Sequence, residues 1–159
     1  MRDLSQLSFF RGLSDHQIND MRSMIEMHRF SGQHTIFHQG DPAKNLYILL
    51  EGKVAIRFKP HDGSEMTIAN ITPGGVFGWS AALGRQTYTS AAVCLLQTEA
   101  FSISNLNLKK ICSLEDETGI IFLENLTNVI AERLNETHTQ IFDLLSGATR
   151  CHGEEEENG

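Results

Sequence analysis

The first segment of the chain alternates apolar and polar positions with a helical period. Ser14 stands at an N-cap position and Gln17 follows three residues later, which is the spacing of a capping box. We therefore predict an amphipathic helix from about Asp15 to His28, with a shorter helical piece before it at Leu4–Phe10. The positions that recur every three or four residues are Ile18, Met21, Met24, Ile25 and His28.

The middle of the chain changes from a helical to an extended pattern. Between Gly32 and Ile103, short apolar runs alternate with turns that carry Gly, Pro or Asp, namely QGDPA, EGK, PHDGSE and TPGG. Such spacing is typical of an antiparallel barrel or jelly roll. The fold class predicted is mainly β with α, an antiparallel β-roll or jelly roll flanked by N-terminal helices and a long C-terminal helix. The predicted strands are Thr35–His38, Leu46–Leu50, Val54–Phe58, Met66–Ile71, Ser90–Leu95 and Glu99–Ile103.

A long helix is predicted from about Asp116 to Leu145, after a shorter segment at Ser104–Cys112. Seven of its positions repeat with alternating steps of four and three, the spacing of a coiled-coil seam. They are Leu123, Thr127, Ile130, Leu134, Thr137, Ile141 and Leu144. We interpret this seam as a homodimer interface, and packing of the same face on the chain's own barrel is the alternative. Residues 1–145 then form one domain, and residues 146–159 a disordered acidic tail.

Composition narrows the partners that such a domain can have. The formal net charge is −7, from 13 Lys and Arg against 20 Asp and Glu, which argues against direct DNA binding because phosphate contacts need basic side chains. The cysteines Cys94, Cys112 and Cys151 form no CxxC pair, which fits a reducing compartment. No apolar run is long enough to cross a bilayer, and Met1–Arg11 lacks the apolar centre of a signal peptide. We predict a cytoplasmic protein that binds no membrane.

One segment, PGGVFGWSAALGRQTYTSAA at Pro73–Ala92, interrupts the rhythm of the strands. If a strand ends at Phe77 and Gly78 and one helical turn follows at Trp79–Leu83, the first three backbone N–H groups of that turn face outward and attract an anion. Small residues let a ligand approach the backbone, and three hydroxyl groups add donors, those of Ser80, Thr89 and Ser90. The segment is thus either a pocket for a phosphate or carboxylate, or a plain loop between strands.

The order of these elements resembles the cyclic nucleotide-binding domain of the catabolite activator protein and related bacterial regulators. GQHTIFHQGDPAKNLYILLEGKVAIRF is similar to the opening strand and hairpin of that family, and PGGVFGWSAALGRQTYTSAAV stands where the family has its phosphate-binding cassette. The long final helix stands where the family has its dimer helix. We call residues 77–91 the cassette. The resemblance implies that its ligand contacts come from Phe77, Gly78, Trp79, Ser80, Ala81, Thr89, Ser90 and Ala91.

Two positions in the cassette depart from the family pattern. Members that bind cyclic nucleotides usually carry Glu for the ribose and Arg for the phosphate, where this chain has Trp79 and Thr89. Threonine supplies a neutral hydrogen bond in place of a charged fork, and Arg85 is expected to face solvent. The resemblance therefore implies a small anionic ligand, a cyclic nucleotide or another anion, in a site that is not a standard cyclic AMP site. Trp79 either stacks on a flat ligand or fills the space of a ribose, and we favour filling.

The resemblance implies a stand-alone regulatory sensor that signals through its C-terminal helix to a partner protein. The DNA-binding domain of the family is expected after the dimer helix, and this sequence ends about fifteen residues after Leu144. The alternative is a ligand-free interaction and dimerisation module, in which Trp79 plugs a vestigial pocket.

A cupin-type metal enzyme is a third, weaker interpretation. Its candidate ligands are His34, His38 and Glu51, followed by the PGG at Pro73–Gly75, but no H-x-H pair occurs and Gly78 stands where a downstream histidine is expected. The sequence also shows neither an axial haem-ligand motif nor a G-x-S-x-G motif. We therefore predict no enzymatic activity and no metal site, and we assign no certain cofactor.

Overall fold

A computed structural model describes residues 3–114, 117–132, 135 and 145. Four positions of the predicted dimer seam, Leu134, Thr137, Ile141 and Leu144, and the predicted tail at 146–159 lie outside the described residues. The chain divides into two compact units, Met1–Asn125 and Leu126–Gly159, and the strands all belong to the first. Within the described ranges, no helix is long and apolar enough to cross a membrane.

Eight strands form two antiparallel four-stranded sheets. The first sheet has the order β1, β8, β3, β6, from Ile25–Phe30, Thr98–Ser104, Asn45–Glu51 and Val76–Phe77. The second has the order β2, β7, β4, β5, from Thr35–Phe37, Ala91–Cys94, Val54–Phe58 and Met66–Ile71. The predicted fold class, an antiparallel β-roll or jelly roll with flanking helices, is confirmed.

Helices stand before and after the strands. Helix α1 spans Asp15–Met21, helix α2 spans Asn105–Cys112, and helix α3 includes residues 117–132. Short 3-10 helices lie at Leu4–Gln6, Ser8–Phe10 and Arg22–Met24. The predicted capping box is confirmed at the start of α1, where the Ser14 hydroxyl accepts from the Gln17 N–H.

The predicted helix from Asp15 to His28 is wrong in its second half. Helix α1 ends at Met21, and Ile25–Phe30 forms β1, which pairs with β8 from Ile25 opposite Ile103 to Phe30 opposite Thr98. The imidazole of His28 lies 2.7 Å from the Ser102 hydroxyl across this pair. Over so few residues the apolar positions fit both periods, and pairing with a strand about seventy residues away decides between them.

The core that supports the cassette draws on both sheets and on the cassette itself. Four of its rings are close together: Phe37 of β2, Tyr47 of β3, Phe77 of β6 and Tyr88 of the cassette. The ring of Tyr88 stacks on Phe37 with a centroid distance of 3.7 Å, and Tyr47 stacks on Phe77 at 5.1 Å. Because buried aromatic rings contribute large apolar areas, this group fixes the two sheets and the cassette against one another.

The first residues of the chain pack against α3. Phe122 contacts Phe9 edge to face, with ring centroids 5.1 Å apart. The side-chain amide of Asn125 donates to the carbonyl oxygens of Phe9 and Arg11, both at 2.8 Å. The N-terminal turns and residues 117–125 therefore form one packed layer of the first unit.

Candidate functional site

The cassette leads from the end of β6 in the first sheet to the start of β7 in the second. Strand β6 pairs with β3 only through Phe77 opposite Tyr47 and Val76 opposite Ile48. Strand β7 pairs with both β2 and β4, with Ala91 opposite Arg57. The predicted strand end at Phe77 and Gly78 is confirmed, and Ala91 opens the next strand.

The cassette begins at a glycine that the backbone requires. Gly78 has a φ of +78°, in the left-handed region that side chains disfavour. A Cβ atom at this position would lie 2.9 Å from the carbonyl oxygen of Asn45 and 3.2 Å from Cδ2 of Tyr47. The chain turns away from β3 here at a distance that only glycine allows.

The residues after Gly78 form the single helical turn that was predicted at Trp79–Leu83, and this turn does not continue into a helix. The N–H of Leu83 donates to the Trp79 carbonyl at 2.9 Å, and the N–H of Ala81 donates to the Gly78 carbonyl at 3.3 Å. The expectation of an outward amide was therefore wrong for Ala81, whose N–H already has a local acceptor. The Arg85 N–H closes a wider turn onto the Ser80 carbonyl at 2.9 Å.

Three hydroxyl groups of the cassette remain available to a ligand. Ser80 is buried, Ser90 is half-buried and Thr89 is exposed. Among the residues that the structure describes, none makes a hydrogen bond with any of these three hydroxyls. Neither the Ser80 nor the Ser90 hydroxyl oxygen is fully buried, so both can be reached by solvent or by a ligand.

Trp79 is turned back onto the strand that it follows. Its indole Nε1 donates to the carbonyl oxygen of Val76 at 2.9 Å, and the side chain is half-buried. The ring lies outside the aromatic core cluster of Phe37, Tyr47 and Tyr88. Its polar group is therefore satisfied within the protein, which leaves only ring faces and edges for contact with a ligand.

The end of the cassette pairs with the QGDPA turn, a contact that the sequence did not indicate. The Ala43 N–H donates to the Gln86 carbonyl, the Tyr88 N–H to the Asp41 carbonyl, and the Gly40 N–H to the Tyr88 carbonyl, each at 2.9 Å. Pro42 and Thr87 form an antiparallel bridge between these bonds. This short ladder fixes the chain immediately before Thr89 and Ser90.

Tyr88 and Asn45 are the two structural residues of the site that sequence reasoning missed. The Tyr88 hydroxyl donates to the Asn45 carbonyl at 2.7 Å and accepts from the Asn45 N–H at 3.0 Å. Burial raises the pKa of Tyr88 to about 12, so the hydroxyl keeps its proton at neutral pH. The one available signal was an aromatic residue in a segment of small and polar residues.

Two arginines bring positive charge to this region. Arg85 is exposed, as expected, and half-buried Arg57 lies opposite Ala91 in the β4–β7 pair. Within the described part of the chain, neither guanidinium makes an ion pair. Sequence reasoning missed Arg57 because strand register is needed to place it beside the cassette.

The residues of the metal-enzyme interpretation have separate neighbours. The ring of His34 stacks on Phe30 at 5.3 Å, whereas Nδ1 of His38 lies 3.5 Å from the Asp41 carboxylate. In the described ranges, no three His, Cys, Asp or Glu side chains are grouped as a metal site requires. The geometry therefore gives no support to a cupin-type site at His34, His38 and Glu51.

The sequence pattern of the cyclic nucleotide-binding domain matches residues 27–115, more than half of the chain. The chain belongs to the cyclic nucleotide-binding domain family. The cassette and the turn that pairs with it both lie within the matched range.

Relatives in this family have the same fold. The chain is 28% identical over 142 residues to the CRP-like cAMP-activated global transcriptional regulator of Mycobacterium tuberculosis, a match that covers 89% of this chain and 62% of the regulator. A structure solved as a cyclic nucleotide-binding protein of Geobacter metallireducens superposes with a TM-score of 0.70 at 26% identity, covering 84% of this chain and 99% of the other. The catabolite activator protein of Thermus thermophilus gives 0.70 at 27% identity, covering 87% and 63%.

The chain spans about three fifths of the length of the curated relatives that it matches. The family membership therefore applies to the β-roll and its cassette. The activities of the full-length regulators are assigned only to those proteins.

The close passage at Gly78 predicts a difference between two glycines of similar backbone geometry. Gly84 has a φ of +71° but no atom within 4 Å of the point that a Cβ would occupy, so Gly84→Ala tests backbone strain alone. We expect Gly84→Ala to lower the free energy of unfolding by about 1 kcal/mol and Gly78→Ala by about 3 kcal/mol, because the latter adds a clash with the Asn45 carbonyl. Urea denaturation measures both, and equal losses would contradict the proposed contact.

Proposed function

We propose that this domain is a regulatory sensor that binds a small anionic ligand in the cassette and signals through its C-terminal helix. The observation that carries the proposal is the set of three hydroxyls at Ser80, Thr89 and Ser90, which have no partner among the described residues. They lie within the matched range 27–115, in the segment where the resemblance to the family implies a ligand site. A non-catalytic role is part of this proposal.

The charges of the cassette support an anion. Residues 77–91 contain no acidic side chain and one basic one, Arg85, although the chain as a whole carries a formal charge of −7. Arg57 adds a second positive charge from the neighbouring strand. The Asp41 carboxylate, in the turn that pairs with Tyr88, is close enough to act on the Tyr88 hydroxyl, so an anion at this site meets two positive side chains and one negative one.

The ligand site that we propose differs from a standard cyclic AMP site at Thr89. A neutral hydroxyl forms a hydrogen bond about half as strong as a charge-assisted one, and it has no bidentate geometry. A cyclic nucleotide and other small anions all carry the negatively charged acceptor oxygens that such a site requires. Ala81 contributes space rather than an N–H donor. The full set of proposed contacts is Phe77, Gly78, Trp79, Ser80, Ala81, Thr89, Ser90 and Ala91.

Signalling in this proposal passes through a homodimer to a partner protein. Leu123 and Thr127 are exposed and Ile130 is half-buried in the isolated chain. The first positions of the predicted seam are therefore accessible to a second copy of the protein. Leucine and isoleucine at seam positions stabilise paired helices through apolar burial. Ligand binding would then change the preference between two arrangements of the helix.

A second candidate function is a ligand-free interaction module. The observation that favours it is the bond from the Trp79 indole to Val76, because this large side chain is anchored in the position where ligand-binding relatives are expected to carry a glutamate. The two candidates differ in one measurable property, saturable binding of a small anion.

Calorimetric titration with cyclic AMP and cyclic GMP, after native mass spectrometry for retained molecules, tests the proposal. We expect saturable binding of a cyclic nucleotide or a retained anion, with a dissociation constant at or below roughly 10 µM, which is about −7 kcal/mol. Ser90→Trp should abolish it by filling the cassette, whereas Ser64→Trp, at an exposed serine of the β4–β5 turn, should leave it intact. A wild-type protein with neither heat nor retained ligand would favour the ligand-free module.

Restoring the missing charge should strengthen the binding of a cyclic nucleotide. Thr89→Arg places a guanidinium beside Ser90, and we expect it to increase the affinity for cyclic AMP by about tenfold or more, because the phosphate gains a charge-assisted bond. Thr72→Arg, at an exposed threonine outside the cassette, controls for the change in net charge. Equal affinities of Thr89→Arg and the control would show that position 89 does not face the phosphate.

The dimer proposal predicts monomers when charges enter the seam. Ile130→Asp combined with Leu134→Asp should halve the mass measured by sedimentation equilibrium, since carboxylates are costly in an apolar interface. Asn128→Asp adds a charge at an exposed position between two seam residues and should leave the mass unchanged. An unaltered mass in the double variant would place the interface elsewhere.

A further inference from the structure

We propose that Tyr88 is the positioning residue of the cassette, holding the Thr89 and Ser90 hydroxyls in their binding positions before any ligand arrives. The expected effect on ligand affinity rests on the proposed function. The geometric part, the fixing of residues 89 and 90, stands on contacts of the ligand-free chain.

The edge of the first sheet leaves one residue of β3 without a strand partner on that side. Strand β6 pairs with Tyr47 and Ile48 of β3, and continuing the register would bring Trp79 opposite Asn45. The chain instead turns away at Gly78, where φ is +78°. The backbone N–H and carbonyl of Asn45 are therefore left beyond the end of the strand that would have paired with them.

A side chain satisfies the backbone N–H and carbonyl of Asn45. One hydroxyl, that of Tyr88, donates to the Asn45 carbonyl at 2.7 Å and accepts from the Asn45 N–H at 3.0 Å. It takes the place of the missing strand residue. Because buried backbone groups are almost always paired, the loss of this hydroxyl leaves both groups of Asn45 in need of a new partner.

Tyr88 is held by three kinds of contact. Its backbone bonds to Gly40 and Asp41, its hydroxyl bonds to Asn45, and its ring stacks on Phe37 at 3.7 Å with an interplanar angle of 13°. The residue is 4% exposed. Thr89 follows directly, so the backbone that carries the two hydroxyls starts from a fixed point.

Protonation supports this role. A tyrosine hydroxyl is protonated in the physiological range, and burial, which raises the pKa of Tyr88 to about 12, keeps it a donor to the Asn45 carbonyl at higher pH as well. A site that is ordered beforehand loses less conformational entropy when a ligand binds. This matters most for a site that relies on neutral donors such as Thr89 and Ser90.

The test uses Tyr88→Phe, which keeps the stacked ring and removes only the hydroxyl. The matched control is Tyr47→Phe, which removes a buried hydroxyl that bonds the Asn45 side chain but leaves the Tyr88 bonds to the Asn45 backbone in place. Amide order parameters from nitrogen-15 relaxation and amide hydrogen exchange are measured on the ligand-free full chain. Cyclic AMP and inorganic phosphate serve as binding probes.

In Tyr88→Phe, we expect the order parameters of Thr89 and Ser90 to fall from about 0.85 to below about 0.6, and the Asn45 amide to exchange at least roughly tenfold faster. Amides of β8 should keep their protection, which separates local loosening from unfolding. The affinity for the probe that the wild-type protein binds should fall about tenfold. Tyr47→Phe should change none of these quantities at residues 89 and 90.

Unchanged order at Thr89 and Ser90 in Tyr88→Phe would overturn the inference, whatever the probes do. Loosened amides with an unchanged probe affinity would overturn the positioning role. If the wild-type protein binds neither probe nor any other anion, the proposed function fails, and the amide data still decide whether Tyr88 fixes residues 89 and 90. Should Tyr88→Phe unfold, Phe37→Leu removes the ring that stacks on Tyr88, together with its contacts to Tyr47 and Phe77, and is expected to loosen the same two amides.

Discussion

Two backbone groups at the edge of the first sheet, the N–H and carbonyl of Asn45, constrain the cassette end of this domain. Strand β6 is too short to pair with them, so another partner must supply a donor and an acceptor together. A hydroxyl is a side-chain group that can do both at one atom, and Tyr88 brings one from the far end of the cassette. Gly78, at the near end, passes the same carbonyl at a distance that excludes a side chain. Both ends of the cassette are thus tied to a single residue of β3.

This arrangement makes the cassette a part of the core. The ring that carries the hydroxyl stacks on Phe37 of the second sheet, while Phe77 and Tyr47 of the first sheet stack beside it. The cassette therefore joins the two sheets through aromatic contacts as well as through the backbone. Interiors packed in this way deform little, which favours a site whose shape is set by the fold. Between the two ties, from Trp79 to Arg85, the backbone hydrogen bonds are those of local turns.

Local chemistry predicted much of the fold and little of what fixes the site. The strands Val54–Phe58 and Met66–Ile71 were predicted to the residue, because glycine, proline and aspartate turns bound them. The strand Ile25–Phe30 was missed because its partner, β8, lies far along the chain and its apolar positions also fit a helix. The cassette was found from its glycines and hydroxyls, but the role of Tyr88 depends on Asn45, 43 positions earlier, and on the turn at Gly40 and Asp41. Register and non-local pairing of this kind leave no periodic trace in a sequence.

The charge of the cassette narrows the anions that it suits. Its one charged side chain is the exposed Arg85, and the half-buried Arg57 lies opposite Ala91 in the neighbouring strand. In the proposed site, Thr89 offers a neutral hydroxyl in the position where the family pattern has an arginine. Weak single donors can hold an anion when several act together and are ordered in advance, since less conformational entropy is then lost on binding. In the site that we propose, an anion with several acceptor oxygens therefore suits the hydroxyls of Ser80, Thr89 and Ser90 better than one that depends on a single charged contact.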